Sequence, residues 1–345
     1  MRPVILPPHL PPTFYRGAGR IADFRGDRTG VVPRDRPEDW IASTVSRFGD
    51  PGSGLTALPD GRLLRDAVDA DPAGWLGPAP ATSVAAGRPA PSSLAVPLVK
   101  YLDAGQRLPV HVHPDDAFAR SRLDAAQGKT EAWLIMEAPP GARVHLGWRD
   151  EMPLWRLVDL VRRQDIPAML EAMNPVPVGP GDVILVPAGT AHAICEGVFL
   201  VEVQQAADLS VLLEWQAFLP DSSQAFGGAE LDVALGCVDV APLTDDVLSE
   251  LIIRGARDRA ASGEAVVRLM PEPADGYFGA WRVRDGGVLP AGYSTVVVLD
   301  GAGTLVGEGW TTAIERGMTL AVPYSAGECR VTGAATVAAF TPAAR

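Results

Sequence analysis

From about residue 94 onward the chain alternates short apolar runs, rich in β-branched residues, with Gly, Pro and Asp. Examples are "LAVPLVKYLDAG", "TEAWLIM" and "GDVILVPAGTAHAICEGVFLVEVQ". Runs of this length bounded by turn residues predict the strands of a sandwich or barrel. After residue 264 the pattern returns in "EAVVRLM", "STVVVLDG", "GTLVGEG", "GMTLAVP" and "TVAAFTP". The first hundred residues are cut by turns such as "GDPGSG" and "PAPATSVAAGRPAPSS" and show no long helical period. Helical spacing is confined to two places. In "DEMPLWRLVDLVRRQDIPAMLEAM", Leu154, Leu157, Val158 and Val161 fall at i, i+3, i+4 and i+7, and Pro167 stands where a second helix begins. Two short helices covering a sheet edge follow from that spacing. In "TDDVLSELIIRGARD", Val247, Leu248, Leu251 and Ile252 share one face and predict a third helix. The expected fold is therefore mainly β, two β units with a small helical insertion. Its parts are N-terminal strands and loops joining the first unit (1–98), the first unit itself (99–218) with the insertion at 150–174, a linker with a short helix (219–263), and a second unit (264–345).

Composition narrows the class of partner. At roughly 100–200 residues per domain, 345 residues make two or three domains or one double domain. A net charge of −12 disfavours a nucleic-acid partner, which is bound through clustered Lys and Arg, and equally an anionic membrane surface. Prolines interrupt the apolar run of the opening "MRPVILPPHLPPTFYRG", and no later stretch reaches about 18 apolar residues, so a cytoplasmic location without membrane contact is expected. Cys195, Cys237 and Cys329 are widely separated with no C-x-x-C pair, as reduced thiols rather than a disulfide framework. Of the 30 basic residues only Lys100 and Lys129 are lysines, and both flank the most unusual segment of the chain. A compact ammonium is not interchangeable with a guanidinium, so these two positions are candidates for a role that Arg does not fill.

That segment is "LPVHVHPDDAFARSRLDAAQGKTEAWLI", residues 108–135. On a strand, alternate side chains project from the same face, so His111 and His113 point together. Glu131, 18 residues after His113, opens the next apolar run, and His192 follows the turn-rich "PGDVILVPAGTAH". Three imidazoles and a carboxylate suit one divalent ion, with zinc first and manganese, iron, cobalt or nickel as the other fits. His9 and His145 read as structural. The segment after 264 holds no histidine and is expected to hold no metal.

The H-x-H, the downstream Glu and the G-D-x(4)-P-x-G-x-x-H stretch resemble the cupin family, a jelly-roll barrel. More narrowly, "VPLVKYLDAGQRLPVHVHPDDAFAR", "GKTEAWLIM", "VGPGDVILVPAGTAHAI" and "VEVQQAADLSVLLEW", with "PEDWIAS" upstream, resemble the type I mannose-6-phosphate isomerases over most of residues 15–218. The resemblance implies two cupin barrels, the second degenerate. It also implies a metal held by His111, His113, Glu131 and His192, with Lys100, Lys129 and Asp208 in a sugar or sugar-phosphate pocket. One departure bears on the metal set and three on that pocket. His111 stands where the family has Gln, Leu212 where it has a catalytic Arg, and Ile41 and Val45 where it has Glu and His after the Trp.

Aldose–ketose isomerisation moves a proton between C1 and C2, so it needs a Lewis acid near the two oxygens and a base near the carbon. The metal supplies the first. Lys129 is the leading candidate for the second, with Lys100, Glu202 and Asp208 behind it. The expected function is a metal-dependent aldose–ketose isomerase with an altered sugar pocket and weak turnover of mannose 6-phosphate, unless Arg16, Arg20 or Arg47 restores the missing charge. The alternatives are another metal-cupin enzyme, a free-aldose isomerase or an oxygenase, and a non-catalytic sugar-binding or regulatory cupin.

Overall fold

The computed structural model describes residues 1–26, 34–78, 91–255 and 263–343. Two antiparallel double-sheet barrels account for most of them. In the first barrel a six-stranded sheet runs Ile252–Ile253, Val183–Val186, Glu131–Glu137, Phe199–Gln204, Leu98–Asp103, Glu38–Ile41. It faces a five-stranded sheet ordered Val211–Leu212, His111–Val112, His192–Ile194, Arg143–Trp148, Met173–Pro177. The second barrel pairs a six-stranded sheet (Val4–Leu6, Thr319–Val322, Ser294–Asp300, Thr336–Pro342, Phe278–Val283, Val266–Arg268) with a four-stranded one (Val288–Leu289, Cys329–Gly333, Ala302–Gly307, Trp310–Glu315).

The continuous apolar character of the long strands has a simple cause: both of their faces are buried. Along Leu98–Asp103, Val99 and Tyr101 join a core that also holds Phe199, Val201, Phe278, Val297 and Phe340, drawn from the six-stranded sheets of both barrels. The alternate residues Lys100 and Leu102 turn into the first barrel, since successive side chains of a strand leave by opposite faces. The same parity sends Glu131, Trp133, Leu200, Glu202 and Gln204 inward, and Ala132, Leu134 and Val203 into the shared core.

The helical insertion forms as the spacing predicts, over Leu154–Arg163 and Ile166–Ala172, with the Asp165 side chain accepting from the Ala168 amide and Pro167 in the first turn. It covers the outer face of the histidine-bearing sheet rather than an edge. Leu157, Leu160, Val161 and Met169 pack on Val112, Ala193 and Leu213, and each buried side chain contributes roughly 1.5–3 kcal/mol. Leu154 stands outside this contact, 48% exposed.

Four expectations need correction. The third helix spans only Asp245–Leu251, because Ile252 and Ile253 continue as an edge strand beside Val183–Ile184; Val247 faces solvent, and the end of the predicted helix lies outside the described residues. That strand makes the 219–263 stretch part of the first barrel rather than a plain linker. Within 1–98, Glu38–Ile41 joins the first barrel, but Val4–Leu6 pairs with Thr319–Ala321 of the second, where Leu6 enters the shared core. The same stretch, expected as strands and loops, also carries short helices at Arg20–Arg25, Leu64–Ala70 and Pro72–Leu76. Their three or four apolar residues apiece are too few to show a long period.

Candidate metal centre

The register between neighbouring strands assembles the centre. His111 lies directly opposite His192 on one side and Leu212 on the other, and Val112 points away beneath the helices. Gly189, at φ 87°, makes the turn that returns the chain to His192: its amide donates to the His113 carbonyl at 2.7 Å and its carbonyl accepts from the Asp239 amide. A left-handed residue at this position favours glycine. From the facing sheet, Glu131 sits opposite Gln204, and Glu202 opposite Lys100.

The three imidazoles converge, with ring centroids 4.0 to 5.0 Å apart and candidate ligand nitrogens all within 4.8 Å of one another. Each Nδ1 meets a main-chain carbonyl: Pro109 for His111 (2.9 Å), Leu209 for His113 (2.9 Å) and Thr190 for His192 (2.8 Å). A carbonyl oxygen only accepts, so each Nδ1 carries the proton and each Nε2 presents a lone pair. Burial, then Lys129, pushes His113 down to about 3, and burial with its two neighbouring imidazoles holds His111 well below the usual histidine range. Both rings are neutral at pH 7.

Glu131 closes the fourth side. Its Oε2 lies 3.1 Å from His113 Nε2 and its Oε1 3.3 Å from His192 Nε2. Burial alone would raise this carboxyl, but Lys129, with Nζ 2.9 Å from Oε2, and His113 hold it well below the usual range, so it is ionised. A carboxylate oxygen and a neutral imidazole lone pair are both acceptors and repel one another. The Nε2 atoms of His113 and His192 are buried with no hydrogen-bond partner, a costly state without a cation. Separations of about 3.0–3.4 Å are those between ligand atoms on a metal whose bonds are about 2.1 Å long. The Trp133 indole donating to Glu131 Oε1 at 3.0 Å, and the carbonyls behind the histidines, are the outer contacts that fix ligand orientation. The residues fit one divalent ion. His9 and His145 lie outside the cluster and are half-buried; each keeps one ring nitrogen without a partner, so neither is the fully satisfied core histidine expected.

Beside the histidines opens a cleft of about 460 Å³ whose walls include Lys100, Lys129, Glu131, Glu202, Asp208 and Leu212. All the predicted sugar-pocket residues therefore reach one space. Lys100 is buried over the Trp40 ring, with Nζ 3.5 Å from Glu38, 3.5 Å from Glu202 and 3.8 Å from Asp208. Burial opposes its charge, but these carboxylates outweigh that and raise its pKa above the ordinary lysine value. These carboxylates favour its ammonium form. Burial and Glu131 push Glu202 up, against the pull of Lys129 and Lys100.

Two of the three expected pocket alterations fall elsewhere. Ile41 is buried in the core shared by the barrels, because in the strand Glu38–Ile41 it faces away from its neighbour Trp40. Val45 is not part of the cleft wall; Leu212 is. Of the three arginines considered, Arg20 pairs with Asp103 at 2.8 Å and Arg16 is outside the cleft wall, whereas Arg47 lines it. Glu38 and Tyr15 escaped the sequence reading. Tyr15 donates to Glu38 at 2.5 Å, and Glu38 faces Lys100. Glu38 lies two residues before Trp40 inside "PEDWIAS", so strand parity from Trp40 already placed it on the pocket side.

No family model matches the chain. A mannose-6-phosphate isomerase of Bacillus subtilis is 25% identical over 238 residues, covering 68% of this chain and 71% of the relative. One from Streptococcus mutans is 37% identical over 117 residues, 34% of this chain and 35% of its own length. Among solved structures, mannose 6-phosphate isomerase from Bacillus subtilis superposes with a TM-score of 0.72 at 20% identity, over 99% of both chains. The apo enzyme from Salmonella typhimurium gives 0.68 at 14% identity over 100% of both. The solved structures share the two-barrel fold that carries the centre. The chain is thus similar in sequence to mannose-6-phosphate isomerases over about two thirds of its length and shares the fold of solved ones.

Proposed function

We propose that this protein is a metal-dependent aldose–ketose isomerase acting on a hexose phosphate, with one cleft wall altered at Leu212. The observation that carries the proposal is the pairing of three imidazoles and an ionised Glu131, converging on one point, with a second buried carboxylate, Glu202, in the same cleft. His111, His113, Glu131 and His192 would hold the ion, and zinc fits this ligand set first. Bound there, a divalent ion would supply a Lewis acid to the sugar carbonyl.

Glu202 is the group we assign to the proton. Its Oε1 is buried without a hydrogen-bond partner and stands 3.5 Å from Lys100 Nζ and 3.7 Å from Lys129 Nζ. A carboxylate raised above its ordinary range is a stronger base than one in water; it takes the proton from C2 of the aldose and returns it to C1, while the O2 hydroxyl proton passes to O1, so that C1 gains the hydroxyl and C2 the carbonyl. Lys129 and Lys100 act as fixed cations that orient Glu131 and Glu202 and offer N–H donors to sugar oxygens. Phe14 and Phe48 stand at the cleft mouth. A cytoplasmic setting is part of the proposal, supported by three unpaired thiols; among the described residues no helix is long and apolar enough to cross a membrane.

Steady-state isomerisation of mannose 6-phosphate, glucose 6-phosphate and fructose 6-phosphate, beside the unphosphorylated sugars, tests the reading. At least one phosphorylated hexose should be interconverted with kcat/KM above about 10⁴ M⁻¹s⁻¹, with activity lost to a chelator and restored by zinc or manganese. No turnover of any of them by folded, metal-supplemented protein would overturn it.

A further inference from the structure

Among the described residues, the cations on the cleft wall besides the His111 imidazole are Lys100, Lys129 and Arg47. Buried carboxylates already claim the two lysines: Glu38, Glu202 and Asp208 surround Lys100, and Glu131 and Glu202 face Lys129. Two ammonium groups thus meet four carboxylates at the cleft floor. A divalent ion between the histidines would balance that excess and leave nothing over for a second anion.

Arg47 differs. It forms no ion pair among the described residues, and its guanidinium is held by a neutral group, the Pro12 carbonyl. The nearest acidic neighbour in its loop, Asp50, turns its carboxylate to the Gly52 amide at 3.3 Å. The loop itself is built firmly. The Arg47 amide donates to the Ser53 carbonyl at 2.9 Å, and the Asp50 amide to the Arg47 carbonyl at 3.0 Å. Gly54, at φ 95°, lies so close to Trp40 that a Cβ would come within 2.7 Å of the ring. The next residue, Phe48, donates its amide to Asp208 Oδ2 at 3.1 Å, and Asp208 is one of the carboxylates around Lys100. The rim cation is therefore tied through one residue to the cleft floor.

We infer that Arg47 is the residue that binds the phosphate group of the substrate, holding it at the cleft rim while the carbonyl end of the sugar points to the histidines. This rests on the isomerase reading for the orientation of the sugar, but not for the binding of the anion. A guanidinium with its charge uncommitted and its fork free on one side suits a phosphate dianion, which takes two parallel N–H donors. Ser223 and Gln224 on the same wall offer further donors.

Calorimetric titration of metal-loaded protein with glucitol 6-phosphate, which has no carbonyl to isomerise, and with unphosphorylated glucitol separates the two readings. Arg47→Ala should weaken glucitol 6-phosphate binding by about tenfold to a hundredfold, leave glucitol unchanged, and raise KM for a hexose phosphate far more than it lowers kcat. Arg47→Lys should recover part of the loss and guards against a folding defect in the alanine variant. Wild-type-like binding of glucitol 6-phosphate by Arg47→Ala overturns the assignment. So does an equal loss for both ligands, or failure of the wild type to bind the phosphorylated one. Arg47-dependent binding in a protein that isomerises no sugar would remove the isomerase reading and keep the phosphate site.

Discussion

The two barrels place the same inward-facing strand positions under opposite chemistry. In the second, Val296, Val298, Leu305, Ile314, Leu320, Val331 and Val337 fill the interior with an apolar cluster. In the first, Leu102, Trp133, Ile135, Val144 and Ile184 fill only one end, and the other holds Lys100, His111, His113, Glu131, His192 and Glu202. Packing two buried ammonium groups against four carboxylates and three imidazoles stabilises far less than the same volume of Leu and Val, because desolvation offsets most of the attraction. The architecture tolerates this because the first barrel is buttressed on both sides. The shared core lies under its six-stranded sheet and the helical insertion over the five-stranded one. The second barrel supplies stability, and the first uses part of it for a polar site.

If that division is right, a change in one interior should move activity and a change in the other stability. The largest effect is expected for Glu202→Gln, which keeps shape but removes the base: turnover should fall by about 10²–10⁴-fold, with metal content retained and the thermal midpoint little changed. Loss of turnover below tenfold, measured by steady-state kinetics, would return the proton to another group, with Lys129 next in line. A smaller effect, of another kind, is expected for Leu305→Ala in the second barrel. The cavity should cost about 2–5 kcal/mol in urea unfolding, while metal content and kcat of the folded fraction stay as in the wild type. A fall in metal content there would mean that the two interiors are not separable.

How far the sequence carried this account follows strand parity. The H-x-H spacing was enough to aim His111 and His113 at one point, because alternation is a property of any strand. The same rule, applied to "EDWI", places Glu38 and Trp40 inside and Asp39 and Ile41 outside. Reading Ile41 by its adjacency to Trp40 in the motif therefore gave a pocket change where there is a core residue. The charge state of Lys100 was not legible at all. It depends on Glu38, Glu202 and Asp208, from three separate segments, closing around one Nζ. The pairing of Val4–Leu6 with the second barrel was hidden for the same reason, since three residues carry no pattern that names a partner more than 300 positions away. Local periodicity gave the two helices of the insertion but not the exposure of Leu154, and failed at Ile252, which continues as an edge strand beside Val183–Ile184.

The central claim is that the four converging ligands of the first barrel hold one metal ion and the apolar second barrel none. Elemental analysis of protein purified without chelator tests it most directly, on the wild type and on a His113→Ala His192→Ala variant. About one equivalent of a divalent transition metal per chain is expected in the wild type, as a structural or catalytic site of this ligand set binds, and almost none in the double variant. Well under half an equivalent in the wild type, or the same content in both proteins, would contradict it.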